Sequence, residues 1–210
     1  MIDLKDCSTL LILKDGNMFQ AIQDIDFYIL DFLQTMARSP FWDKFLAFYT
    51  SLGDPFMFVC YAALLLAISK TRRDGLMVSG GMLTGLLVGE LLIKNLVRRA
   101  RPCWIHPEVE LLVKNPKDYS FPSGHTMTMT ILCIILIYNH PKLAYGLIPA
   151  WLLLVYSRMY LYLHFPSDIL AGIALGVVIG ILTIKITPKI EKTIEKRKKK
   201  LVFTPENKEE

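Results

Sequence analysis

The chain has 210 residues, of which 53% are hydrophobic and 20% are charged, and its formal net charge is +5. Mean hydropathy is +0.39, and the apolar residues come in long blocks instead of alternating with polar ones at the period of a helix or strand. This pattern argues against an ordinary soluble domain and favours a membrane protein over the alternative, a soluble bundle of buried helices.

Residues 1–54 are predicted to form helices at the membrane surface. From Phe19 to Met36, apolar residues recur at helical spacing with charged residues off that stripe, which indicates an amphipathic helix lying in the interface rather than crossing it. The aromatic residues from Phe41 to Tyr49 are typical of headgroup level. The chain begins without a basic stretch followed by an apolar one, so we expect no cleavable signal peptide.

Five nearly uncharged blocks follow, at residues 55–69, 76–93, 126–138, 143–155 and 169–184. Each is near the ~20 residues that a spanning helix needs, although the third and fourth must borrow flanking residues. We therefore predict an all-α fold, a polytopic transmembrane helical bundle of about five spanning helices over residues 55–187. A basic tail follows over residues 188–210.

Two of these spans carry a glycine at every fourth position. The glycines are Gly81, Gly85 and Gly89 in the second span and Gly172, Gly176 and Gly180 in the last. Such stripes let helix backbones approach closely, so we expect these two helices to pack tightly in the bundle. A dimer interface is the alternative.

The distribution of lysine and arginine predicts the orientation of the bundle. The C-terminal tail is the most basic segment, and with five spans the basic turn at residues 70–73 and Lys142 share its side, so this side is expected to be cytoplasmic. Residues 94–124 and 157–168 then emerge on the opposite face. We expect a multi-pass protein of the cytoplasmic membrane whose site is extracytoplasmic and whose C-terminus is cytoplasmic.

Cations gather at the end of the second span, where Lys94 is followed by Arg98, Arg99 and Arg101. A charged group at bilayer depth costs roughly 2.5–3.5 kcal/mol on insertion scales, so such groups are functional candidates. Lys94 follows Glu90 by four residues, a helical spacing that would let the two side chains pair. Snorkelling towards headgroups accounts for Arg98 and Arg99, but it fits Lys94 and Arg101 less well.

Ser123, Gly124 and His125 stand at the start of the third span. A helix N-terminus offers unpaired N–H groups and the positive end of the helix dipole, which together suit an anion. Gly124 lets an anion approach the backbone, Ser123 can cap the helix or donate, and His125 lies in the first turn. A lone histidine at a helix start is ordinarily structural, so this tripeptide alone is a weak signal.

Arg158, His164 and Asp168 flank the turn that leads into the last span. The arginine is a fork-shaped ligand for phosphate. Asp168 follows His164 by four residues, and a carboxylate that accepts from one imidazole nitrogen fixes the tautomer and leaves the other nitrogen free to attack. A surface hydrogen bond would give the same spacing.

Together the blocks read Lys-x6-Arg-Pro, Pro-Ser-Gly-His and Ser-Arg-x5-His-x3-Asp, in that order and at the ends of spans. This order resembles the tripartite signature of the type-2 phosphatidic acid phosphatase superfamily, over about residues 50–187. Every position of the signature matches: Lys94, Arg101, Pro102, Pro122, Ser123, Gly124, His125, Ser157, Arg158, His164 and Asp168. One departure is the acidic N-terminal segment, where many bacterial relatives have a spanning helix.

The resemblance implies a metal-independent phosphatase of membrane lipids. It implies that His164 attacks phosphorus and forms a phosphohistidine, that Asp168 orients it, and that His125 serves as general acid and then base. It also implies the ligands of the phosphoryl oxygens, which are Lys94, Arg101, Ser123, Gly124 and Arg158.

The expected substrate is an outer-face lipid phosphate: undecaprenyl diphosphate, phosphatidylglycerol phosphate or phosphatidic acid. No cofactor, metal ion or nucleic acid is expected, and the four cysteines show neither a disulfide framework nor zinc-ligand spacing. The alternative is a non-hydrolytic lipid-binding or transport protein on the same scaffold, against which the intact His125, His164 and Asp168 argue. A vanadate-dependent haloperoxidase would share the site residues, but that interpretation requires a soluble chain, which the apolar blocks argue against.

Overall fold

The computed structural model describes residues 7–202, and side chains between residues 18 and 199. All regular structure in this range is helical, which confirms the predicted all-α class. The helices are α1 Cys7–Met36, α2 Pro40–Ser51, α3 Pro55–Ala67, α4 Arg72–Gly85, α5 Lys94–Val97, α6 Pro102–Ile105, α7 Gly124–Asn139, α8 Ala144–Tyr160 and α9 Pro166–Val202. A π-helical segment, Leu86–Ile93, joins α4 to α5, and a 3-10 turn, Pro141–Leu143, precedes α8.

Two helical segments, Arg72–Ile105 and Pro166–Lys199, are long and apolar enough to cross a membrane. Helices α2 and α3 would make a third span if this pair, bent by 55°, crosses as one. Helix α7 is also apolar but shorter. The chain is therefore a helical membrane protein, and the count of five spans stays a prediction.

Helix α7 is the helix against which both glycine stripes pack. A Cβ added at Gly172 would lie 2.7 Å from the Ser123 carbonyl oxygen, and one at Gly176 would lie 2.7 Å from the Met127 carbonyl oxygen. A Cβ added at Gly89, on the second span, would lie 2.6 Å from the Met127 sulfur. A side chain does not approach a backbone oxygen so closely, so only glycine allows the contacts at Gly172 and Gly176, whereas at Gly89 the flexible end of Met127 would have to shift. Tight packing of the two helices is confirmed, and α7 is their shared partner.

Helix α1 lies against the loop that joins α8 to α9. Asp26 is buried there, and the Tyr162 hydroxyl of the loop donates to Asp31 Oδ1 at 2.8 Å. The predicted apolar stripe faces away from the bundle, since Phe19 is 59% and Met36 is 74% exposed. Two acidic residues of α1, Asp26 and Asp31, therefore attach this helix to the region between α8 and α9. Its placement in the membrane interface stays a prediction.

The corner between α2 and α3 packs onto the start of α7. A Cβ added at Gly53 would lie 3.1 Å from His125 Cδ2 and 2.8 Å from Leu154 Cδ1. Pro55 starts α3 directly after this corner, where its fixed φ suits the first helical position. The corner thereby carries Asp54 to the first turn of α7.

Helix α9 runs as one helix through Pro188 to Val202. The first part of the predicted basic tail therefore extends the last span as a helix. Residues 1–6 and 203–210 lie outside the described residues.

Candidate active site

Lys94 lies in the first turn of α5 and is 5% exposed. Its Nζ donates to Glu90 Oε2 at 2.6 Å and to Asp118 Oδ2 at 2.6 Å. The pairing of Glu90 with Lys94 that the sequence spacing predicts is therefore present. Asp118, which the sequence did not single out, is a second carboxylate on the same cation.

Arg101 joins this cation to the loop before α9. Its Nη2 donates to Asp118 Oδ2 at 3.0 Å, and its Nη1 donates to the Leu163 carbonyl oxygen at 2.8 Å. Burial opposes ionisation of Asp118, but the hydrogen bond from Lys94 and the charge of Arg101 outweigh it and lower the pKa of Asp118 to about 2. A carboxylate thus bridges the two cations where an anionic ligand could bind.

His164 is 1% exposed, and its Nε2 lies 3.0 Å from Arg101 Nη1. Arginine has donors only, so Nε2 accepts and the ring proton is assigned to Nδ1. Burial, with the positive charges of Arg101, Arg158 and Lys94, lowers the pKa of His164 well below its ordinary value. The imidazole is therefore neutral at physiological pH, with its lone pair on Nε2.

Asp168 is fully buried behind His164, but the direct hydrogen bond expected between them is not formed. Asp168 Oδ2 lies 3.8 Å from His164 Nδ1, beyond hydrogen-bond distance. The same oxygen accepts from Ser120 Oγ at 2.5 Å and from the Phe165 N–H at 3.0 Å. Ser120 Oγ is also 3.5 Å from His164 Nδ1, so this hydroxyl lies between the two residues.

His125 faces the site from the first turn of α7, as predicted. Its Nε2 lies 3.1 Å from Asp54 Oδ1, at the corner between α2 and α3. No sequence pattern links these residues, which are 71 positions apart, so Asp54 was missed. Burial and the positive charge of Arg158 disfavour the charged imidazole, and the Asp54 carboxylate offsets them only in part, so His125 is neutral in the ligand-free protein.

The remaining predicted ligands lie on α7 and α8. Gly124 is the first residue of α7, and a Cβ there would overlap the Glu90 carboxylate. The Ser123 side chain is turned away from the cavity and pairs with Thr126 Oγ1 at 3.0 Å. Arg158 donates through Nη1 to Thr50 Oγ1 at 2.8 Å, and its buried Nε has no hydrogen-bond partner among the described residues.

A cavity of about 860 Å³ opens onto most of these groups. The predicted residues that line it are Lys94, Arg101, Gly124, His125, Arg158 and His164. Ser123 and Asp168 stand behind its wall. From the cations the cavity continues between α3 and α4, where its walls are apolar and include Phe58 of α3 and Met82 of α4. Polar and apolar ends in one cavity suit a molecule with an anionic head and a lipid chain.

The sequence interpretation of Arg99 as a snorkelling cation is wrong. Snorkelling fits Arg98, which is exposed, but the Arg99 side chain is only 10% exposed and forms ion pairs with Asp26 and Asp168. No group of three or more His, Cys, Asp or Glu side chains in the described part of the chain is arranged to hold a metal ion.

A solved structure shares this fold. The first transmembrane PAP2-type phosphatidylglycerolphosphate phosphatase from Bacillus subtilis is 27% identical, with a TM-score of 0.64, and the match covers 86% of this chain and 92% of that one.

Two curated relatives are similar in sequence. An undecaprenyl-diphosphatase of Sulfolobus acidocaldarius is 32% identical over 129 residues, which is 60% of this chain and 62% of the relative. A decaprenylphosphoryl-5-phosphoribose phosphatase of Mycobacterium tuberculosis is 34% identical over 113 residues, 52% of this chain and 59% of the relative. The chain thus spans about three fifths of the length of these relatives.

The family model of the PAP2 superfamily matches residues 74–192, which is more than half of the chain and includes all three sequence blocks. The chain belongs to the PAP2 superfamily.

Proposed function

We propose that the chain is an integral membrane lipid phosphatase that works through a phosphohistidine on His164, without a metal ion. One observation carries this proposal: His164 and His125 line the same cavity as Lys94, Arg101 and Arg158, and that cavity continues between α3 and α4 along apolar walls. A binding protein would need the cations and the apolar wall, but it would not need a neutral imidazole with its lone pair beside them.

The first step is transfer of the phosphoryl group to the enzyme. The lone pair of His164 Nε2 forms a bond to phosphorus, and the bond from phosphorus to the leaving oxygen breaks. The electron pair of that bond goes to the leaving oxygen, which takes a proton from His125. His125 must be protonated for this step, and the Asp54 carboxylate together with the negative charge of the bound phosphate group favours that form against burial and Arg158.

The second step is hydrolysis. His125, now neutral, takes a proton from water as the water oxygen attacks phosphorus, and the bond from phosphorus to His164 Nε2 breaks. Inorganic phosphate leaves and His164 is neutral again. Asp168 supports His164 through Ser120, which donates to the carboxylate and lies 3.5 Å from Nδ1.

Cations and a helix N-terminus would stabilise the charge on the transferring group. Lys94, Arg101 and Arg158 face the cavity, and the start of α7 at Gly124 adds N–H donors and the positive helix end. Ser123 contributes through its backbone at the cap of α7 rather than through its hydroxyl. The phosphoryl group would replace the Asp118 carboxylate that bridges Lys94 and Arg101.

The proposed substrate is a lipid phosphate whose chain lies along the apolar wall between α3 and α4. The names of the two curated relatives point to polyprenyl phosphates, and the solved relative is named for phosphatidylglycerolphosphate. We place undecaprenyl diphosphate first, with phosphatidylglycerol phosphate and phosphatidic acid as the other candidates. The site is proposed to face the outside of the cytoplasmic membrane, with the C-terminus inside.

The test is release of inorganic phosphate from these three lipids by purified protein in detergent containing EDTA. Wild-type protein is expected to release phosphate, His164→Ala to release none, and His125→Ala to turn over about 10²–10⁴ times more slowly. His106→Ala is the matched control, because this histidine is 42% exposed and outside the cavity. Lipid binding without phosphate release by the wild type would refute the enzyme and favour a lipid carrier.

A further inference from the structure

Arg99 is a largely buried cation, with a side chain that is 10% exposed, and the proposed phosphoryl chemistry does not use it. It follows Arg98, whose backbone is left-handed with a φ of 51°, and this turn directs Arg99 inward while Arg98 stays exposed. The guanidinium carbon lies 4.1 Å from the centroid of the Phe165 ring. Arg99 thus lies beneath the loop that carries His164, on the side away from the cavity.

One part of the guanidinium binds Asp168. Arg99 Nη1 donates to Asp168 Oδ1 at 2.7 Å and to Ser167 Oγ at 2.7 Å. The other oxygen of Asp168 accepts from Ser120 and from the Phe165 N–H. A fully buried carboxylate is costly unless it is paired and hydrogen-bonded, and Arg99 provides its ion pair.

The other part of the guanidinium binds helix α1. Arg99 Nη2 donates to Asp26 Oδ2 at 2.7 Å and to Gln23 Oε1 at 2.7 Å. Asp26 is 2% exposed, and it also accepts from the Ser167 N–H at 3.0 Å and from Ser167 Oγ, in the first turn of α9. Helix α1 precedes the matched family region, which begins at residue 74, yet it places a buried carboxylate one guanidinium away from Asp168.

We propose that Arg99 is a positioning residue that holds Asp168 in place for His164, and that Asp26 of α1 fixes Arg99 in turn. The proposal rests on the proposed function, because it assigns Arg99 a role relative to the nucleophile. Two buried carboxylates on one planar, fork-shaped group leave that group a single orientation. The orientation of Asp168 then sets where Ser120 stands against His164 Nδ1. Helix α1 thereby supports the catalytic centre through Asp26 and Arg99.

The test compares steady-state kinetics of the wild type with Arg99→Gln, Arg99→Lys, Asp26→Asn and the matched control Arg98→Gln. Arg99→Gln is expected to lower kcat roughly 10- to 100-fold, by analogy with the loss seen when a partner that orients a metal-bound histidine is removed. KM should stay within about 2-fold, since Arg99 does not line the cavity. Arg99→Lys should not restore kcat, because an ammonium lacks the planar fork that fixes the orientation of the Asp168 carboxylate.

Asp26→Asn keeps the size of the side chain and tests the contribution of α1. It should lower kcat less than Arg99→Gln does, and the double variant should be no slower than Arg99→Gln alone, since both act through one network. Arg98→Gln should match the wild type.

Thermal unfolding of each variant, with kcat expressed per folded enzyme, separates positioning from a purely structural role. Equal kcat per folded enzyme for Arg99→Gln and Arg98→Gln would overturn the proposal, even if Arg99→Gln unfolds at a lower temperature. If Arg99→Gln does not fold, Asp26→Asn decides: a lowered kcat at unchanged KM supports the proposal, and wild-type kinetics overturn it. Absence of phosphate release by the wild type would instead refute the proposed function.

Discussion

Replacing Asp118 with asparagine is expected to tighten binding of the phosphate substrate. The carboxylate lies 2.6 Å from Lys94 Nζ and 3.0 Å from Arg101 Nη2, so a phosphoryl group that binds these cations must displace it. Asparagine has nearly the same shape but no charge. The Asp118 backbone oxygen, which accepts from Arg101 Nε at 2.7 Å, is unaffected by the change.

The magnitude follows from the pKa of Asp118, which is lowered from 3.8 to about 2. In full, this lowering corresponds to about 2.4 kcal/mol of favourable interaction with the charged form. The side chain is 51% exposed, so solvent screening reduces the competing interaction to about 1 kcal/mol. We therefore expect KM to fall about 5-fold, with kcat within about 2-fold of the wild type.

The assay is phosphate release at a series of lipid concentrations, with inorganic phosphate as a competitive inhibitor whose inhibition constant should fall by a similar factor. Because the pKa of Asp118 in the folded protein is below its ordinary value, the carboxylate is charged above pH 4 and loses its charge only as the pH falls through about 2. The KM ratio should therefore be constant from pH 5 to 8. Glu108→Gln, an exposed change in the same loop, is the control. An unchanged or higher KM for Asp118→Asn would refute the reasoning.

Three further predictions concern stability, packing and orientation. The pKa of His164 in the folded protein is below its unfolded value of about 6.5, so the unfolded chain binds more protons at pH 5–6.5. Thermal stability should therefore decrease as the pH is lowered from 6.5 to 5. His164→Gln should weaken this pH dependence. Gly176→Ala should lower the free energy of unfolding by about 1–3 kcal/mol, because the new Cβ would lie 2.7 Å from a carbonyl oxygen of α7. Gly80→Ala, at a position with open space around it, should be neutral or stabilising. Equal effects of the two substitutions in chemical denaturation would contradict the packing argument. With Cys7 and Cys60 replaced, Glu108→Cys, at a position that is 68% exposed, should react with an impermeant maleimide in intact cells. Lys199→Cys, at a position that is 77% exposed, should react only after lysis, and the reverse result would invert the proposed topology.

Sequence reasoning located the cavity residues because their chemistry coincides with the ends of apolar blocks. A cation at bilayer depth is energetically costly, so it indicates a functional site. Lys94, Arg101 and Arg158 line one cavity with His125 and His164. Local spacing was also sufficient for the pair of Glu90 with Lys94, which α-helical and π-helical backbones both bring together.

The contacts that sequence reasoning missed join residues far apart in the chain. Asp54 reaches His125 only because the corner between α2 and α3 packs on α7, and Asp118 reaches Lys94 from a loop without a periodic pattern. Arg98 is exposed and Arg99 points inward because the backbone of Arg98 is left-handed, and nothing in the local sequence predicts a left-handed residue at that position. Spacing placed Asp168 beside His164 correctly, but the hydroxyl of Ser120 between them depends on tertiary structure.

The π-helical segment Leu86–Ile93 has a consequence for how this protein can change over evolutionary time. It joins Gly81 and Gly85, which rest on α7, to the lysine that reaches the cavity, and it contains Gly89, so it sets the rotation of Lys94 relative to the α7 contact. Gain or loss of one residue there would turn Lys94 by about 100° around the helix axis, away from Arg101. Lipid-facing positions such as Leu87, which is 52% exposed, should therefore accept many apolar side chains. Insertions and deletions in the segment should be absent from active homologues, so that its length is constrained more tightly than its sequence.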